Sequence, residues 1–201
     1  MSDALILFVR KPEKGKVKTR IAATEGENFA LKIYNKLLLH TYGITAPLTC
    51  TKYVFYAGAI EEDDMWSNGY HKLMQAETDL GNRMKAAFTQ LFEKEHKRIC
   101  IIGSDCYELS TEVIEQAFAE LEKHDLVIGP AHDGGYYLLG MKDGVKDVFQ
   151  NIEWSTEKVL KQTIKQLIDK NQTFVLLPML HDVDTVNEVP AKWMEELKMP
   201  E

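Results

Sequence analysis

The chain has 201 residues, 45% of them apolar and 27% charged, and a formal charge of −7. That length suits one domain with a substantial core, and the acidic balance argues against a nucleic-acid-binding protein, which would present a broad basic surface. No apolar run approaches the roughly 20 residues that span a bilayer, the start has no signal-peptide n-region, and three cysteines (Cys50, Cys100, Cys106) form no C-x-x-C pair, so a cytoplasmic protein is expected.

The first apolar run, residues 4–9, is short and rich in Leu, Ile, Phe and Val. It reads as a strand buried on both faces. Pro12 and Gly15 then break regular structure. Thr24 and Glu27 have capping-box spacing. Behind them Phe29, Ala30, Ile33, Tyr34, Leu37 and Leu38 recur at helical intervals, which predicts a helix over 25–42. Residues 52–57 alternate as a strand and 73–75 as a shorter one. Met84, Ala87, Phe88, Leu91 and Phe92 mark a second amphipathic helix. "ICIIG" within 98–103 is another buried strand. Ser110 is placed to cap a helix with the apolar face Val113, Ile114, Ala117, Phe118 and Leu121. "DLVIG" (125–129) and "YYLLG" (136–140) are strand-like with only a loop between them, so a local antiparallel element is expected there. Ser155 is placed to cap a helix carrying Val159, Leu160, Ile164, Leu167 and Ile168. A strand at 174–177 and a short helix over 188–197 complete the pattern.

Strands alternating with helices imply a mostly parallel sheet covered on both faces. No repeat or linker interrupts it, so one domain over 1–201 is expected. In such sheets ligands bind beyond the carboxyl ends of the strands, and the chemically suggestive residues do follow strands.

"FVRKPEKGKVKTR" (8–20) holds six basic residues and one acid, a local +5 in a chain whose remainder therefore carries −12. Clustered positive charge is unfavourable unless an anion is bound. Arginine offers a planar fork to phosphate oxygens and lysine a compact charge, while Gly15 allows main-chain N–H groups to approach. Arg10, Lys11, Gly15, Lys18 and Arg20 are thus candidates to cradle a di- or triphosphate; a solvated basic loop is the alternative. "GKVKT" is not a P-loop ending, because the glycine required five residues before Gly15 is Arg10. A G-x-G-x-x-G dinucleotide fingerprint is also lacking.

"IIGSDCYEL" puts Asp105 just past a strand, where it could hold a divalent cation facing the cradle or act as a turn acid. "DVDT" places Asp182 and Asp184 two residues apart; if extended, both point the same way. They could complete the metal shell with Asp105, and Asp184 could equally serve as a cap. In "GPAHDGGYYLLG", Gly134 and Gly135 permit a tight turn or close approach of substrate. Asp133 there could contact a hydroxyl or act in proton transfer, with an Asp-Gly hairpin turn as the alternative. The pairs His132-Asp133 and His181-Asp182 also raise a metal-hydrolase reading, which the flanking strand and glycine signals oppose. Cys106 is read as a small buried thiol rather than a nucleophile. Trp154 could stack on a ligand ring or pack at a helix start.

In this order, "FVRKPEKGKVKTR", "QAETDLGNRM", "IIGSDCYEL", "GPAHDGGYYLLG", "IEWST" and "DVDT" resemble the bacterial DUF2064 proteins, a glycosyltransferase-like group of the nucleotide-diphospho-sugar transferase superfamily. The resemblance runs from about residue 4 to residue 188, and the first and fourth segments are its specific parts. It implies the glycosyltransferase-A fold, an α/β, Rossmann-like three-layer sandwich with a mostly parallel mixed sheet and a nucleotide site at the first loop. It also implies that Asp105 stands where the superfamily's metal-binding aspartate sits, with Asp184 a second ligand. Tyr107 replaces a usual proline and Asn82 a frequent glutamate, departures that bear on loop geometry and acceptor choice.

The expected function is transfer from a nucleotide-activated donor, most simply a nucleotide sugar, to a small-molecule acceptor, dependent on Mg2+ or Mn2+. Asp105, Asp133 and Lys18 are the expected catalytic residues. A similar K-P…K-[ST]-R loop in phospholactate guanylyltransferases supports the alternative of nucleotidyl transfer from a nucleoside triphosphate. A non-catalytic nucleotide sensor is a third reading, which the retained acids Asp105 and Asp184 oppose.

Overall fold

In chain order, the computed structural model, which describes residues 2–145 and 147–198, comprises β1 (Asp3–Arg10), α1 (Thr19–Glu25), α2 (Glu27–Thr45), β2 (Thr51–Ala57), β3 (His71–Met74), α3 (Leu80–Phe92), β4 (Arg98–Ile102), α4 (Thr111–Glu120), β5 (Leu126–Pro130), β6 (Tyr136–Lys142), α5 (Val159–Asp169), β7 (Phe174–Leu176), a 3-10 turn (Val186–Glu188) and α6 (Ala191–Lys198). The strands form one sheet in the order β3-β2-β1-β4-β6-β5-β7. All neighbours are parallel except β6, which runs antiparallel to both β4 and β5. The antiparallel element expected over 125–140 is therefore present, and it reaches across to β4.

Side chains alternate across a strand, and β1 shows what that does here. Leu5, Leu7 and Val9 pack with Tyr34 and Leu38 of α2 and with Ile114, Ala117 and Phe118 of α4. Ala4 and Ile6 face the other way, onto Met84, Ala87, Phe88 and Leu91 of α3 and Leu167 of α5. Two helical layers thus enclose the sheet, and strands covered on both faces read as unbroken apolar runs. A third cluster joins Ile21 of α1, Ile33 and Leu37 of α2, Val183, and Trp193 of α6. At the amino ends of β1 and β4, the paired residues Asp3 and Arg98 form a bidentate ion pair at 2.7 and 2.8 Å, which helps fix the register. Among the described residues no helix is long and apolar enough to cross a membrane.

Three local expectations change. Thr24 does not cap α2: its hydroxyl donates to the Ile21 carbonyl inside α1, and the N-cap is Gly26 at φ 89°, a backbone state glycine adopts without strain. Ser155 sits at φ 62° in the preceding turn, so α5 starts later, with Lys158 as its N-cap. The helix α1 was not foreseen. Ser110 does cap α4, its hydroxyl accepting from the Val113 N–H at 3.5 Å.

Candidate functional site

The chain leaves β1 at Arg10, whose main-chain N–H donates to the Tyr34 hydroxyl and whose carbonyl accepts from it, both at 2.9 Å. This pins the end of β1 onto α2. The loop turns at Gly15 (φ 77°) and enters α1 through Lys18, the N-cap, at φ 45°, ψ 50°. A left-handed conformation costs a non-glycine residue roughly 1–2 kcal/mol, and N-caps usually carry a short polar side chain in extended backbone.

Lys18 is directed inward. Its ammonium lies 2.7 Å from Asp105 Oδ1 and 3.3 Å from Asp184 Oδ1, and its side chain is 5% exposed. Burial pulls the ammonium's pKa down, but the two carboxylates more than offset that and hold it above the usual lysine value. Arg20 reaches Asp184 Oδ2 at 3.7 Å from a 74% exposed position, so that contact is weak.

The two acidic segments are joined through the main chain: the Val183 N–H donates to the Asp105 carbonyl at 2.8 Å. Val183 is buried in the third core cluster, and Asp182 and Asp184 on either side of it line the cleft. Asp184 has no capping duty, because Thr185 and Glu188 form a capping box at the 3-10 turn. The Glu188 carboxylate takes the Asp184 and Thr185 N–H groups at 2.8 and 2.6 Å. Asp182 lies among like charges. Burial, then the carboxylates of Asp105, Asp133 and Asp184, push its pKa up to about 7.

These side chains face a cleft of about 870 Å³ beyond the carboxyl ends of β1 and β4, where parallel α/β sheets place ligands. The lining includes Arg10, Lys18, Arg20 and the four aspartates, together with the apolar and aromatic side chains of Phe8, Leu80, Met84, Tyr136 and Trp154. Trp154 leans on the first turn of α3, and its indole nitrogen would be 2.1 Å from a Cβ at Gly81. It also meets Tyr136 edge-on. It thus both packs at a helix start and faces the cleft. Gln75 and Arg83 also line the cleft, and no sequence motif gave them a role. The Gln75 amide donates to the Phe55 and Val9 carbonyls at 2.9 and 3.3 Å, which leaves its oxygen available. Arg83 Nε donates to the Thr78 carbonyl at 2.6 Å.

Of the expected phosphate residues, Arg10, Lys18 and Arg20 border the cleft, whereas Lys11 and Gly15 do not. Lys11 pairs with Glu61, and Gly15 lies against the Glu27 carboxylate, 3.0 Å from where its Cβ would be. Asp133 and Gly135 border the cleft, and Asp133 Oδ1 accepts from the Gly135 N–H at 2.8 Å. Gly134 has a packing role instead: at φ 89°, a Cβ there would stand 2.3 Å from the Glu157 carbonyl oxygen. Cys106 is buried, and burial first, then Asp182, push its pKa up to about 12. That is the wrong direction for a nucleophile. His132 and His181 stack at 3.7 Å outside the cleft lining, with Glu108 beside His181 at 3.3 Å.

Among the described residues no three His, Cys, Asp or Glu side chains assemble as a metal cluster. What converges on Asp105 and Asp184 is the Lys18 ammonium, a stand-in ion. Two carboxylates around one ammonium make a point of negative potential, and oxygen donors of that kind are the ones a hard divalent cation takes.

The profile of the DUF2064 family, described as an uncharacterized protein conserved in bacteria, matches residues 43–156. No functionally curated protein matches the sequence. Among solved structures, a protein from Desulfovibrio desulfuricans G20, provisionally named a nucleotide-diphospho-sugar transferase, shares 32% identity over 92% of this chain and 84% of its own, with a TM-score of 0.85. Two more distant folds cover 98% of the chain. One is the CMP:2-keto-3-deoxy-manno-octonic acid synthetase complexed with CTP (10% identity, all of that chain, TM-score 0.60). The other is the inositol-1-phosphate CTP transferase from T. maritima (11%, 96% of that chain, TM-score 0.57). The fold is accordingly that of the nucleotide-diphospho-sugar transferases, and the chain belongs to the DUF2064 family.

Proposed function

We propose that the protein is a divalent-cation-dependent transferase that acts on a nucleotide-activated donor, a nucleotide sugar in the first instance. The observation that carries this reading is the meeting of the β1 loop and the aspartates in one cleft, with Lys18 in contact with Asp105 and Asp184. Positive groups suited to a phosphate chain and carboxylates suited to a cation stand together, which is the equipment of phosphate-centred transfer.

In this reading Arg10, Lys18 and Arg20 bind the donor's phosphates, and Asp105 and Asp184 hold Mg2+ or Mn2+. The bound cation would neutralise phosphate oxygens and stabilise charge on the departing group. Asp133, exposed at the cleft and oriented by the Gly135 N–H, accepts a hydrogen bond from an acceptor hydroxyl. The aromatic side chains of the lining, Tyr136 and Trp154 among them, offer a stacking surface. The relative at 32% identity supports a sugar donor by its name. Nucleotidyl transfer is the second reading, supported by full-length likeness to two cytidylyl-transferring folds.

The test is incubation with nucleotide sugars and nucleoside triphosphates plus magnesium. Release of a nucleoside diphosphate supports the first reading and release of pyrophosphate the second; nucleotide binding without either product overturns both. The Asp105→Asn variant is expected to lose turnover by 100-fold or so, the loss of about 3 kcal/mol of transition-state stabilisation. It should also lose the magnesium dependence of nucleotide affinity. Unchanged calorimetric affinity in magnesium would remove Asp105 from the metal role.

A further inference from the structure

The centre of the basic loop is already committed. Lys18 is the only loop cation that is nearly inaccessible, and its ammonium is hydrogen-bonded to oxygens of two separate acidic segments, 2.7 Å from Asp105 and 3.3 Å from Asp184. Its backbone holds a left-handed conformation at the N-cap of α1, where any short polar side chain would cap the helix better. Strain of that kind persists where the surroundings over-determine it, and it marks functional positions. The charge count points the same way. Four carboxylates line this end of the cleft, Asp105, Asp133, Asp182 and Asp184; of the cations that line it, Lys18 is buried against two of them, and Arg20 reaches Asp184 at 3.7 Å from an exposed position.

We propose that Lys18 is an internal counter-cation that a divalent metal displaces. The metal enters the Asp105–Asp184 pair only as the ammonium leaves it, and the released ammonium then serves the donor's phosphates. This rests on the reading of Asp105 and Asp184 as the metal pair. The exchange makes and breaks no covalent bond, and Lys18 keeps its proton. A +2 ion replaces a +1 ion among the aspartates, while the +1 moves toward the phosphate anion. Metal and donor therefore assist each other: an anion in the cleft draws Lys18 off the carboxylates, and metal on the carboxylates frees Lys18 for the anion. By reciprocity each raises the other's affinity by the same factor. Without donor, the ammonium competes with metal and keeps the aspartate pair neutralised.

The test uses Mn2+ alone, with free Mn2+ followed by electron paramagnetic resonance. Lys18→Met and Lys18→Gly are expected to bind Mn2+ at least about tenfold more tightly than the wild type, a gain of 1.4 kcal/mol or more. Adding Asp105→Asn to either variant should remove the gain. Glycine keeps the left-handed turn without strain, so that variant separates loss of the ammonium from loss of the fold. A measurement on the unaltered chain stands beside it. Lys18 should resist reductive methylation in metal-free protein and become modified at saturating Mn2+, read by peptide mass. Equal or weaker Mn2+ affinity in both variants, or Lys18 labelling indifferent to Mn2+, overturns the proposal. No donor is present in either measurement, so this failure is distinct from failure of the transferase reading, which is decided by product release.

Discussion

Asp182 is the residue whose charge fits its surroundings least. It is drawn into the cleft because Val183 must be buried, and it arrives beside three other carboxylates. Its folded pKa is raised from the ordinary 3.8 to about 7 by burial and then by Asp105, Asp133 and Asp184. A raised carboxyl pKa means the folded state binds the proton more tightly than the unfolded one. Stability from that proton is fully present below about pH 4 and is lost as pH climbs to about 7. Asp182→Asn removes the charge and keeps the shape. It is expected to stabilise the protein by on the order of 2 kcal/mol at pH 8, which at this size raises the melting temperature by roughly 4–8 °C. The gain should fade as pH falls toward 4. Melting curves of both proteins across pH 4–8 check this; a gain independent of pH would mean that the side chain's packing, and not its charge, is responsible.

At the scale of elements, the question is why strands were so legible and the turns were not. Residues 4–9, 98–103 and 125–129 are covered on both faces by helices, so burial writes itself into an unbroken apolar run. The caps failed where glycine or a left-handed residue overrode spacing: Gly26 took the capping position from Thr24, and Ser155 adopted a positive φ. The site was legible as far as strand ends reveal it. Asp105 follows β4, and the basic loop follows β1. Which loop side chains turn inward was not legible, since that depends on Glu61 and Glu27 engaging Lys11 and Gly15 from outside the loop. Nor was the Lys18–Asp184 contact, made across 166 residues. Short β7 shows the same dependence on distant partners. Its edge position is secured where the Asp125 carboxylate accepts from the Thr173 N–H and hydroxyl, both at 2.8 Å. The Thr173 N–H is the main reason the Asp125 pKa is depressed below 3.8, against a smaller opposing effect of burial. A depressed pKa contributes stability above the unfolded value and loses it as pH falls through the folded one. Asp125→Asn should therefore cost about 1 kcal/mol at pH 7, and the difference from wild type should shrink as pH falls below the ordinary carboxylate value of 3.8. Denaturant midpoints at pH 7 and pH 3 test this, with faster amide exchange in β7 as the local sign.

Across the whole molecule, the sign of the field is negative while one loop is positive, and this sorts ligands by size. A total charge of −7 with +5 concentrated in residues 8–20 leaves the remaining surface repelling any polyanion long enough to extend beyond the loop. Under the proposed function a nucleotide is held inside the cleft, whose lining includes Arg10, Lys18 and Arg20. A polynucleotide must lay further phosphates over acidic surface, and its affinity would have to come from a broad basic footprint that an acidic chain does not supply. Screening acts over about 8 Å at about 150 mM salt, too short a range to let the loop compensate for that surface. A fluorescently labelled single-stranded oligonucleotide is therefore expected to show no saturable anisotropy change at that salt, while unlabelled nucleoside triphosphate binds calorimetrically under the same conditions. Retention of the oligonucleotide, with competition by triphosphate, would instead assign the β1 loop to a nucleic-acid surface. The basic segment would then owe its charge to a polymer running along the outside of the molecule, and the acidic cluster beside it would need another explanation.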